Sequence, residues 1–164
     1  MAGKADFTPD EWAQVCKSPM MASLVLVAAS PSGPIGVVKE MFAVGKLVAE
    51  TKAKGGANPL VDALVGEITT REGMERAKPT EVQGKSPDEA RAYALEQLKK
   101  VAALADQKAP GDAAGFKQWL QQVAERVASA SKEGGFLGFG GTLVSEQEHA
   151  ALRDTAAALG VQQA

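Results

Sequence analysis

The stretch AAGFKQWLQQVAERVASASKE, residues 113–133, sets the reading of the whole chain. Phe116, Trp119, Leu120, Val123, Val127 and Ala130 recur at intervals of three and four, with Gln118, Gln121, Gln122 and Glu125 opposite them. That spacing follows the helical turn and describes a helix with one apolar face. A strand would alternate every second residue instead.

The same period recurs on either side. Pro110-Gly111-Asp112 breaks the chain and caps this helix. Before it, Ala90, Ala94, Leu98, Val101 and Ala105 form a stripe of mostly small residues. Their helix opens at Ser86-Pro87-Asp88-Glu89 and runs to about Lys108. Leu60, Val61, Leu64, Val65 and Ile68 mark another, from Asn58-Pro59 to about Ala77, followed by a polar loop, Lys78 to Lys85. The helix from Pro34 or Ile35 to about Lys54 ends at Gly55-Gly56. It is apolar over more than half its circumference, with Lys39, Lys46 and Glu50 on a narrow polar strip, which predicts a central position. Thr8-Pro9-Asp10-Glu11 is a capping box with Phe7 and Trp12 at the staple positions. It opens a short helix to about Lys17. Ser18-Pro19 is read as a restart, giving a second helix to about Ser30, and Pro31-Ser32-Gly33-Pro34 as a break. Ser145-Glu146-Gln147-Glu148 is a further capping box, and its helix ends near Gly160.

Composition agrees. Of 164 residues, 30 are Ala, as many as Val, Leu and Ile together. Ala is the best helix former, and a sheet-rich core would want more β-branched and aromatic residues. The expectation is an all-α protein: one domain over residues 1–164, a bundle of four long helices with shorter accessory ones.

Charge and chemistry exclude several classes. Eighteen basic residues are interspersed with twenty acidic ones and no basic block occurs, which argues against nucleic acid as a partner. One Cys and one His leave no structural zinc site and no internal disulfide. The lone Cys16 suits a reducing, cytoplasmic setting as a buried inert thiol. The N-terminus has no apolar stretch of signal-peptide type. The uncharged run Ser18 to Val38 is broken by Pro31, Gly33 and Pro34, and its continuous apolar part, Met20 to Ala29, is too short to span a bilayer. No membrane span and no cofactor are expected.

Three features carry candidate function. Gly134-Gly135-Phe136-Leu137-Gly138-Phe139-Gly140-Gly141 follows a helix and lacks both the P-loop lysine and the dinucleotide-binding pattern. It is read as a helix end and a tight apolar loop, with Phe136, Leu137 and Phe139 as partner-contact candidates. Glu146-x-x-His149 has the spacing of di-iron bundles, which would need a second copy of the motif, supplied only by a homodimer. Its structural reading is capping: Glu148 at the third helical position, and His149 next, as the staple partner of Val144. Glu40 falls at the margin of its helix's apolar face, beside Val37, Val44 and Leu47, and Arg71 and Glu72 flank the fourth helix's stripe similarly. Both read as ion pairs at the core margin, with a carboxylate site as the sharper alternative.

The two ends of the chain echo each other. Ala28-Ala29-Ser30-Pro31-Ser32-Gly33 precedes Glu40, and Ala128-Ser129-Ala130 with the Gly-rich loop precedes Ser145-x-x-Glu148. This helix–turn–helix pattern resembles the TerB-like tellurite-resistance helical family, with Glu40 and Glu148 at the matching positions. The segment from Phe116 to Gly160 also resembles small bacterial all-helical proteins of unknown function. The first resemblance implies a metal- or small-ligand-binding bundle using Glu40, Glu148 and His149. The residues themselves favour a non-enzymatic cytoplasmic interaction or scaffold protein, with a protein partner or a second copy of itself.

Overall fold

A computed structural model describes residues 2–30, 33–132 and 145–162. The regular structure of the described residues is all helical, without strands. The helices are α1 (Pro9–Ala29), α2 (Gly33–Lys54), α3 (Pro59–Ile68), α4 (Arg71–Ala77), α5 (Pro87–Lys108), α6 (Ala113–Lys132) and α7 (Glu146–Leu159), with 3-10 turns at Lys4–Asp6 and Thr80–Val82.

The starts follow the cap signals. Thr8, Ser86 and Ser145 each accept a hydrogen bond from the N–H of the glutamate three residues on, and that glutamate's carboxylate accepts from the cap's own N–H. Asn58 does more than cap α3. Its Oδ1 accepts from Val61 N–H at 3.0 Å while its Nδ2 donates to the Asp112 carbonyl at 2.9 Å, tying the starts of α3 and α6 together. Gly115 makes that possible, because a Cβ there would stand 2.5 Å from Asn58 Nδ2. The Asp112 carboxylate accepts the Ala2 N–H at 2.9 Å.

Three expectations are corrected. The first two helices are one, because α1 runs unbroken through Ser18-Pro19. A proline inside a helix leaves the carbonyl four residues back without its N–H donor. That carbonyl belongs to Val15, and the Ser18 hydroxyl donates to it at 2.7 Å. The pair read as a restart thus carries its own repair. The expected fourth helix is two: Thr70 caps α4 by accepting from Gly73 N–H, and the Thr69 and Thr70 hydroxyls donate to carbonyls of the last turn of α3. Gly73 lies so close to α3 that a Cβ would fall 1.8 Å from the Glu67 carbonyl oxygen. The helices of 20 to 22 residues are therefore α1, α2, α5 and α6, a different set from the one expected.

The third correction concerns the centre. It is α1, not α2, that packs against each of the six other helices. Trp12, Val15, Cys16, Met21, Ala22, Val25 and Leu26 are buried along it. Among the described residues it is also the one helix long and apolar enough to cross a bilayer, yet more than half of that stretch is buried against the rest of the protein. The small stripe of α5, from Ala90 to Ala105, is buried, and α1–α5 is the most extensive packing in the fold. Small side chains let the two axes approach closely. The predicted face of α6 is buried from Phe116 to Val127, but so is Gln121, expected on the polar side, because α7 and α5 also pack on α6.

Candidate functional site

The surplus apolar surface of α2 is left uncovered. Val44, Leu47 and Val48 enter the core, whereas Met41 is 39%, Phe42 77% and, on α4, Met74 53% exposed. Among the described residues these are the exposed large hydrophobic side chains. Scattered single apolar residues on a surface are ordinary, but a cluster is not.

Met41 of α2 and Met74 of α4 both line a groove of about 470 Å³ formed by α1, α2 and the α3–α4 region. Cys16 and Pro19 of α1 line it, with Val44, Gly45 and Val48 on the α2 side and Ile68, Ala77 and Pro79 on the other. Met20 is a third methionine in the lining. Thioether side chains are flexible and polarisable and adapt to varied apolar partners. Among the described residues the polar groups at the groove are Thr69 and Lys78, and no carboxylate lines it. Lys52 Nζ donates to the Thr69 hydroxyl at 2.8 Å, and Lys78 pairs with Glu75 at 2.7 Å.

Cys16 supplies no reactivity. Burial pushes its thiol up to about 11, with the Glu67 carboxylate adding to the shift and Arg76 opposing it. The thiolate is the nucleophile, so this thiol is inert at neutral pH. Glu67 is itself engaged, pairing with Arg76 and, at 3.2 Å, with Lys4.

The residues singled out from the sequence are dispersed. Glu40 lies on α2 and is buried to 1% exposure, deeper than the marginal position expected of it. Glu148, on α7, is buried and serves its capping box, accepting the Ser145 N–H at 2.8 Å. His149 is exposed, as are Arg71 and Glu72 in the first turn of α4. Among the described residues no three Asp, Glu, His or Cys side chains gather closely enough to hold a metal ion. Phe136, Leu137 and Phe139 lie outside the described residues.

Met41, Phe42 and Met74 were missed by sequence reasoning. For Met41 and Phe42 the signal was present in the breadth of the α2 apolar face, which was read as a sign of a central position. A helix apolar over most of its circumference either lies at the centre or presents its surplus to a partner. No family model, no curated protein and no solved structure matches the chain.

Proposed function

We propose that this chain is a cytoplasmic, non-enzymatic interaction protein that docks through the outer face of α2 and the adjoining groove. The observation that carries this reading is the pair of exposed methionines, Met41 and Met74, at an apolar hollow of about 470 Å³, with Phe42 exposed next to Met41 on the same helix. Interaction surfaces place aromatic and methionine side chains at their centre and charges at the rim. The charged groups beside the groove fit that pattern, since Lys78 is paired and Lys52 is held by a hydroxyl. Phe136, Leu137 and Phe139 are further contact candidates from the sequence alone.

A photo-crosslinking residue placed at Phe42 in living cells tests the reading. Discrete adducts are expected from that position and none from Ala92, which is exposed on α5. Equal or absent labelling at the two positions removes the docking face. The TerB-like metal reading is the less supported one, because Glu148 is committed to its cap and His149 points into solvent. Stoichiometric metal in the freshly purified protein would reverse that ranking.

A further inference from the structure

The rim of the groove carries one sign of charge. Lys52 stands one turn after Val48 on α2, and its Nζ is held at the groove's edge by the Thr69 hydroxyl, 2.8 Å away. That hydroxyl is neutral and leaves the ammonium its charge. On α4, Arg71 and Lys78 fall three residues before and four after Met74, which places them on the methionine's own face. Arg71 is exposed and, among the described residues, enters no ion pair. The neighbouring carboxylates do not offset this rim. Glu40 is buried, Glu50 pairs with Arg126 at 2.9 Å, and Glu67 pairs with Arg76 and Lys4. Glu75 is matched to Lys78 alone, and Glu72, two residues before Met74, falls on the far side of the helix. The chain as a whole has a net charge of −2, so the basic rim is a local feature and not a product of composition.

An apolar trough with a basic rim is complementary to an apolar ligand with acidic flanks. The trough is walled by residues of α1, α2, α3 and α4, and the described residues offer no strand edge. Strand addition is therefore closed to a partner, whereas an amphipathic helix laid in a groove needs only apolar pockets. A bilayer surface, flat on this scale, would leave the hollow beside Cys16 and Pro19 unfilled. We propose that the occupant of this groove is an acidic amphipathic α-helix of another protein, its apolar stripe set against Met41 and Met74 and its carboxylates against Lys52 and Arg71. The inference rests on the docking reading above and names its partner's chemistry.

The probe is a fluorescein-labelled synthetic helix of about 15 residues, with leucines at i, i+4, i+7 and i+11 and glutamates flanking them. Its counterpart carries lysine at every glutamate position. Fluorescence anisotropy with the full chain is expected to show the acidic helix binding at least about tenfold tighter than the basic one, a preference that shrinks as salt is added. Met74→Ser should weaken the acidic helix by at least about tenfold, with an unchanged far-UV circular dichroism spectrum. Lys52→Glu combined with Arg71→Glu should invert the preference between the two helices. No binding of the acidic helix overturns the proposal. So does equal binding of the two helices, or an acidic helix indifferent to Met74→Ser. Phosphatidylglycerol vesicles that bind the chain through Met74 while the acidic helix does not would put a membrane surface in the helix's place. If the probe at Phe42 still yields discrete adducts after any of these failures, the docking face stands and only the partner's chemistry is lost.

Discussion

Ser18 and Pro19 show how much one side chain can decide. Proline in a helix interior costs about 3 kcal/mol, and part of that cost is the carbonyl it strands. Ser18 donates to that carbonyl, so the two residues are energetically coupled. Ser18→Ala alone should destabilise by about 1–3 kcal/mol, the usual cost of an unpaired buried group. In a Pro19→Ala background the new N–H takes the Val15 carbonyl, and the same change should cost about 1 kcal/mol less. A denaturation double-mutant cycle measures the difference. Additive effects would mean that the hydroxyl does not replace the missing donor. Gln121 presents the opposite case: among the described residues neither polar atom of its buried amide has a hydrogen-bond partner. Gln121→Leu is therefore expected to raise stability by about 1–3 kcal/mol in urea unfolding, and a loss would mean that the amide is satisfied in solution. Cys16 adds a pH dependence. Its folded value is raised from the ordinary 9.0 to about 11. The buried neutral thiol thus contributes stability that is complete below pH 9 and lost as pH rises through the folded value. Cys16→Ala should flatten the alkaline arm of the stability profile between those limits. Thiol reagents should label native Cys16 only at the rate of unfolding.

Among the elements, the break between α3 and α4 is the one most exposed to a single substitution. Gly73 and Gly66 are both helical glycines, and intrinsic propensity favours Ala at each by about 1 kcal/mol. Their surroundings differ. A Cβ at Gly66 meets nothing within 4 Å, whereas one at Gly73 overlaps the Glu67 carbonyl. Gly66→Ala should raise the melting temperature. Gly73→Ala should lower it, with a net cost of about 1–3 kcal/mol from forced displacement of α4. Because Met74 follows Gly73, that displacement also changes one wall of the groove. If both variants are stabilised, α4 does not rest on α3 as described. The caps, by contrast, act locally and were written in the sequence. The Thr8, Asn58, Ser86 and Ser145 signals each lie where a helix begins.

For the whole molecule, one contiguous hydrophobic cluster runs from Phe7 to Leu159, with α1 through its middle. A shared core unfolds as a unit. Tryptophan emission, reporting on Trp12 in α1 and Trp119 in α6, and far-UV circular dichroism should give coincident transitions in urea. Phe116 is fully buried in that cluster. Phe116→Ala should therefore cost about 3–5 kcal/mol and shift both signals together. Two separated transitions would show that part of the chain folds on its own.

Helix class, cap positions and most buried faces were legible in the sequence, because they depend on contacts within a few residues. Period, N-cap chemistry and alanine content act within a single turn or two. The identity of the central helix was not legible. On a helical wheel α2 looks more buried than the 9–29 segment, but only the packing shows that α1 meets every neighbour. The Ser18-Pro19 and Thr69-Thr70 outcomes were hidden for a related reason: hydroxyls that extend a helix at one pair end it at the other. At Pro19 a rescued carbonyl lets the buried helix continue, while at Thr70 the close seat of Gly73 on Glu67 favours a turn. The apolar surplus of α2 was visible from the first reading. That it faces a groove and not the core was decided by tertiary structure, since burial depends on which neighbours arrive and no residue carries that information alone.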